Sequence, residues 1–175
     1  MPFKYEDYTN DEGIRRFGEI STNFDFGPKL SPATFPDDFV DSYVHHLEMF
    51  SEDVEDLFFV ARYPDGPIVL WFNGMDDPAH IHSLNVSVAE SLYAPEGSQI
   101  FPEGYYVVGE AYDADSQHML LVDLRQDGGA YGSIHACQRS HDPWGEGDNI
   151  RGLAPLAADL GTFLQSLTTD AASLE

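Results

Sequence analysis

Apolar positions along this chain follow two different periods, and the places where the period changes predict its elements. Between Tyr105 and Ala136, three β-prone runs (Tyr105 to Val108, Met119 to Leu124 and Ala130 to Ala136) are separated by polar segments carrying Asp and Gly. Short runs of Tyr, Val, Ile and Leu bounded by such turns predict an antiparallel meander, the expected centre of a sheet. Upstream, the runs Leu57 to Tyr63 and Pro67 to Phe72 flank Pro64-Asp65-Gly66. Proline presets one turn angle and glycine accepts the positive one, so these runs predict a β-hairpin. Its second strand is expected to end at the turn signal Asn73-Gly74.

Helical spacing appears twice. Phe39, Val40, Tyr43, Val44 and Leu47 fall on one face behind Thr34-Phe35-Pro36-Asp37. Thr34 is the expected N-cap with Asp37 three residues on, and Pro36 sits in the first turn, where its missing N–H is not needed. Asp37, Asp38 and Asp41 lie near the positive end of the helix dipole, which is a sufficient structural reason for them. Near the C-terminus Leu156, Ala157, Leu160, Phe163, Leu164 and Leu167 share one face of a second predicted helix. Between residues 80 and 92 the periods compete: Leu84, Val86 and Val88 alternate like a strand, while Leu84, Val88 and Leu92 recur like a helix.

Residues 1–30 form an irregular lead-in broken by Gly13, Gly18, Gly27 and Pro28, and Leu174-Glu175 can be read as a tag remnant. Residues 137–149 read as a polar, glycine-bearing loop. The expected architecture is a single α+β domain over residues 1–175. Its mostly antiparallel sheet, a hairpin plus a meander, is covered by an N-terminal and a C-terminal helix.

Composition supports a folded chain and then constrains its partners. With 175 residues and 42% hydrophobic content, such a chain buries about 70% of its unfolded surface. No apolar run approaches a membrane span, and the first residues lack a basic and then apolar leader pattern, so a soluble, cytoplasmic protein is expected. Cys137, the one cysteine, allows neither an intrachain disulfide nor a thiolate-based zinc site. The 31 acids against 8 bases leave a formal net charge of −23, with Lys4 and Lys29 the only lysines. That field repels phosphates, so neither nucleic acid nor an anionic membrane surface is an expected partner. The acidity reads either as a solvated surface or as complementarity to a basic partner protein, which raises association rates.

Catalytic chemistry finds little to stand on. His80-x-His82 would place two imidazoles on one face of a strand, with Asp76, Asp77, His135 or His141 as completing metal ligands. Yet HExxH and facial-triad spacings are absent, and the adjacent His45 and His46 point apart on a helix. GxSxG, GxGxxG and the P-loop are absent as well, and Cys137 reads as a small buried hydrophobe. No cofactor is expected. A metal-dependent enzyme built on His80 and His82 is the alternative in another class.

One series of motifs is more specific together than singly. Phe35-Pro36 precedes Phe39 and Tyr43; Tyr106-Val107-Val108-Gly109 follows; then come Leu121-Val122-Asp123-Leu124 and a glycine turn, and Leu153-Ala154 leads to Phe163-Leu164. In this order, over roughly residues 33–168, the chain resembles the SUKH superfamily, named in part for cell-wall synthesis regulators of the Smi and Knr type. The family's Asn-Gly-Gly after the first helix is replaced here by Met49-Phe50-Ser51-Glu52, and its Gly-Asp before the central strand by Ser116-Gln117-His118. The resemblance implies a non-catalytic domain. Bacterial members are commonly immunity proteins that neutralise secreted toxins, many of them nucleases, by direct binding; a regulatory interaction domain is the alternative within binding.

A nuclease presents a basic, phosphate-binding surface, so on this reading the acidity has a partner: a basic toxin domain. The candidate contacts are Asp76 and Asp77 after the hairpin, Asp113 and Asp115 beside the meander, and Trp144, Glu146 and Asp148 in the late loop. For the aspartates the competing reading is ordinary turn residues, and for Trp144 a ring folded over the sheet edge. Trp144 is the expected anchor because Trp is enriched at interface hot spots.

Overall fold

A computed structural model describes residues 35–49, 55–76, 81, 84–85, 102, 104–139 and 151–175. Helix α1 (Asp37–Met49) is followed by strands β1 (Phe58–Tyr63), β2 (Gly66–Met75), β3 (Tyr105–Tyr112), β4 (Gln117–Asp123), β5 (Ile134–Arg139) and β6 (Ala154–Ala157). Helix α2 (Leu160–Gln165) and a 3-10 turn (Ala171–Leu174) complete the order. The six strands form one antiparallel sheet in sequence order, β1 to β6. The sheet curls far enough to bring its first and last strands close together, so the fold approaches a barrel.

Period-2 alternation accounts for both faces of that sheet. Inward-facing residues such as Phe59, Leu70, Val108, Leu120, Ile134 and Ala154 make one apolar cluster fed by every strand. Phe39 and Tyr43, one helical turn apart on α1, join it, as do Leu160 and Phe163 of α2. Phe163 presents its edge to Phe59 and Phe72, with centroids 5.1 Å and 5.7 Å away, a favoured aromatic geometry. On the outer face a smaller cluster of Val107, Met119, Leu121 and Cys137 is closed by Tyr105 and Leu84.

The hairpin and the meander form as the sequence predicts, with displaced boundaries. Asn73-Gly74 does not end β2; the strand runs on to Met75, and the register shifts between Phe72 and Met75. Gly74 supplies a positive φ of 96° for that bulge. Gly109 allows the matching close approach, since a Cβ there would lie 2.9 Å from the Gly74 carbonyl oxygen. The expected turn after Gly109 is instead strand as far as Tyr112. The third run starts at Ile134 rather than Ala130 and extends to Arg139, because Gly129 and Gly132, both at positive φ, complete a turn whose Gly132 N–H donates to the Asp123 carbonyl at 2.7 Å.

The largest correction is at the C-terminus. Leu156 and Ala157, expected on a helix, belong to β6, which pairs with β5. Asp159, two residues past the end of that strand, caps α2: its carboxylate accepts from the Thr162 N–H at 2.7 Å and from the Thr162 hydroxyl at 3.0 Å. The helix is therefore a short one of six residues.

One strand edge is completed by a side chain. β2 leaves β3 at Met75, apart from a last bond from the Asp76 N–H to the Val108 carbonyl at 2.9 Å. Beyond it the buried Asn85 carboxamide takes over. Its Oδ1 accepts from the Val107 N–H at 2.8 Å, and its Nδ2 donates to the Val107 and Ile81 carbonyls at 2.9 Å and 2.7 Å. Residues 81, 84 and 85 are helical; the rest of 77–101 lies outside the described residues, as do Thr34 and the side chains of Val44 and Leu47.

Candidate functional site

Strand alternation decides which side chains reach the outer surface. On β2, Leu70 and Phe72 face the core, so Trp71 between them faces out. It is 39% exposed, and among the described residues it is the large hydrophobic side chain left on the surface. The register sets Phe58 of β1 on one side of it and Tyr112 of β3 on the other, with the Tyr112 ring 6.0 Å away. These three rings form an aromatic row across three strands.

A polar mesh holds the far side of the row in place. The Tyr112 hydroxyl donates to Glu110 Oε2 at 3.1 Å, and Gln117 Nε2 donates to Glu110 Oε1 at 3.0 Å and reaches the Tyr112 oxygen at 3.1 Å. Arg139 of β5 lies 3.5 Å from the same Glu110 carboxylate. Burial and the adjacent Glu110 charge push the Tyr112 phenol above its ordinary pKa. Four side chains from three strands thus fix one another.

The turn joining β3 to β4 carries Asp113 and Asp115, and the two aspartates do different things. The Asp113 carboxylate turns inward: Oδ1 accepts from the N–H groups of Asp115 at 2.9 Å and Ser116, and from the Ser116 hydroxyl at 2.8 Å. These bonds hold its pKa below the ordinary carboxylate range against the opposing effect of burial. Asp115 stands exposed on the turn so built. Asp113 is a turn-building residue, whereas the Asp115 side chain is left to solvent.

That turn is tied to the interior. Ser116 spends its one hydroxyl proton on Asp113, so at 2.8 Å it must accept from His118 Nε2. Nδ1 of the neutral ring is then the acceptor of the Tyr63 hydroxyl at 2.7 Å. The chain Tyr63, His118, Ser116, Asp113 therefore runs in one direction and ends on a negative charge. Burial lowers the His118 pKa to about 4 and raises that of Tyr63, which agrees with a neutral ring. β1 and β4 are not sheet neighbours, so this contact spans the concave side of the sheet. Arg151 lies over the Tyr63 ring, 4.6 Å from its centroid, and grips Asp65 through Nε and Nη2 at 3.0–3.1 Å.

A second polar cluster occupies the opposite end of the outer face. Asp123, fully buried, accepts from the Arg125 N–H at 2.9 Å and from its guanidinium at 2.6 Å and 3.0 Å. Arg125 also bonds the Tyr105 hydroxyl at 2.9 Å, and the Tyr105 ring meets His135 edge-on. Ser133 Oγ lies 2.9 Å from His135 Nε2, while Nδ1 is buried without a hydrogen-bond partner among the described residues. In a serine-histidine nucleophile pair a third group, commonly a carboxylate, orients the ring through that second nitrogen. Asp123 is committed to Arg125 instead.

Of the remaining partner-contact candidates, Asp76 is the one among the described residues. Asp76 is half-buried where β2 ends; its carbonyl accepts from the Tyr43 hydroxyl at 2.6 Å, and the second half of β3 separates it from Asp113. Asp77, His80, His82, His141, Trp144, Glu146 and Asp148 lie outside the described residues. Among the described residues no three His, Cys, Asp or Glu side chains could share a metal ion. His45 is exposed and His46 buried, as expected for adjacent helical positions. A cavity of about 540 Å³ lies between α1 and α2 beside both, away from Trp71, Asp76, Asp113 and Asp115.

Sequence reasoning passed over Trp71 because it sits inside an apolar run. The available signal was its place in the alternation: if Leu70 and Phe72 point in, Trp71 must point out. A scan against protein-family models and searches of curated proteins and of solved structures find no match to the chain. Among the described residues no helix is long and apolar enough to cross a membrane.

Proposed function

We propose that this chain is a non-catalytic, cytoplasmic binding module of the SUKH type, its helices covering the sheet. On this reading it acts as a bacterial immunity protein that masks the basic surface of a nuclease-type toxin domain. The observation that carries the reading is the exposed Trp71, set between Phe58 and Tyr112 beside the rigid acidic turn of Asp113 and Asp115. A surface tryptophan on preorganised neighbours is the usual anchor of a protein interface, and a net charge of −23 selects basic partners.

The test is co-expression with the small basic C-terminal domain of a large secreted protein encoded beside this chain. The two are expected to co-purify at low salt, to part steeply as salt rises, and to lose the domain's nuclease activity at equal stoichiometry. No binding at low salt would falsify the reading. Asp115→Lys, on the exposed tip of the turn, is expected to slow association about tenfold in stopped-flow measurements while leaving the fold intact.

A further inference from the structure

We infer that the outer face around Trp71 is a receptor for an arginine side chain of the partner. This rests on the binding-module reading above and names the chemistry of its central contact. The register supplies the geometry. Phe58 pairs with Trp71, so two residues earlier Asp56 falls opposite Asn73; the Leu57 carbonyl accepts from the Phe72 N–H at 2.8 Å, so the pairing persists to that point. Leu57 packs on the inner cluster, which sends Asp56 to the outer face with Phe58 and Trp71. On the other flank Tyr112 pairs with Trp71 and Glu110 precedes it by two on the same face.

Trp71 is therefore the floor of a shallow site whose far end holds exposed Asn73 flanked by two acids, Asp56 two residues before β1 and Glu110 on β3. Two strand spacings put those carboxylates about 10 Å apart. A guanidinium is planar: it can lie flat on the indole while its N–H groups spread sideways toward both acids. An ammonium can reach one acid but gains little from the flat floor. Glu110 already takes a guanidinium from within, Arg139 at 3.5 Å, and is held by Gln117 and Tyr112. Asp56 is exposed and has no ion-pair partner among the described residues.

The probe is a synthetic glycine-arginine heptapeptide, with lysine and glutamate twins, titrated into the full chain. In a Trp144→Phe background Trp71 is the remaining tryptophan, and its fluorescence reports the site. The arginine peptide is expected to change that emission saturably, to bind severalfold tighter than the lysine twin, and to leave the glutamate twin inert. Calorimetry is expected to show about tenfold weaker binding to Trp71→Leu and a severalfold loss with Asp56→Asn. Asp127→Asn removes the same charge from the exposed turn at the other end of β4 and is expected to change binding little. Unchanged Trp71 emission, or equal affinity for Trp71→Leu and the parent, overturns the inference. If the neighbour-encoded basic domain binds Trp71→Leu as tightly as the parent, this site is wrong and the binding-module reading stands. If that domain binds neither, the module reading fails, and the peptide titration still decides the arginine site.

Discussion

Ser116-Gln117-His118 and Ser133-Ile134-His135 set the same two side chains at the same spacing on neighbouring strands, one pair facing the core and the other facing out. In both, the serine oxygen meets His Nε2, at 2.8 Å and 2.9 Å. What differs is the second ring nitrogen. His118 Nδ1 receives the Tyr63 hydroxyl from across the sheet, whereas His135 Nδ1 has no such donor. The local pattern makes half of a network, and the partner that completes it comes from 55 residues away. Only the completed network can hold the acidic turn rigid, because only it runs from Asp113 to a buried hydroxyl on another strand.

Breaking each pair should therefore cost different amounts. His118→Ala removes a fully buried ring and strands both Tyr63 and Ser116, so a loss of about 3 kcal/mol is expected in urea unfolding. His135→Ala, at a half-buried site with one hydrogen bond, is expected to lose about 1 kcal/mol or less. Equal losses would erase the distinction. Tyr63→Phe isolates the long-range half: it leaves His118 Nδ1 buried and unpaired at a cost of about 1–2 kcal/mol, and amide exchange should quicken at Asp115 and Ser116.

Acid sharpens the contrast further. The folded pKa of His118 lies at about 4, below the 6.5 of an unfolded histidine, so between those values the unfolded chain binds the extra proton. Its contribution to stability is complete above pH 6.5 and is lost as pH falls toward 4, on the order of 1 kcal/mol per pH unit. His46, lowered to about 4 by burial and by His45, adds to the same window. The His118→Ala chain is expected to show a pH slope shallower by close to one proton; an unchanged slope would mean His118 is charged in the fold. The smallest effect expected is from Ser133→Ala, about 0.5 kcal/mol, against a larger loss for Ser116→Ala, which also frees Asp113.

The strands are legible in the sequence where a local rule is enough. Leu70, Trp71 and Phe72 alternate, Pro64-Asp65-Gly66 turns, and the meander's runs pair with their neighbours in order. Helix α1 is legible for the same reason, since Phe39 and Tyr43 lie one turn apart on one face. β6 is not, because Leu156, Leu160, Phe163 and Leu164 also fit a helix; the break rests on the single cap Asp159 and on pairing with β5. Of the candidate site, the Asp113 turn is legible from its composition. Its bond to the interior is not, since nothing local to His118 points to Tyr63. Trp71 needed the strand's orientation before its exposure could be read.

The bridge between Phe58 and Thr168 has a consequence for how the chain is made. Each strand pairs with its successor, so the sheet can be laid down from β1 onward as the polypeptide leaves the ribosome. Phe58 is the exception: its N–H donates to the Thr168 carbonyl at 2.8 Å, and its own carbonyl accepts from the Thr168 N–H at 3.0 Å. The first edge to emerge stays open until Thr168 has left the ribosome. A ribosome stalled before Thr168 would hold out a nascent sheet with an unprotected rim, the kind of surface on which neighbouring nascent chains aggregate.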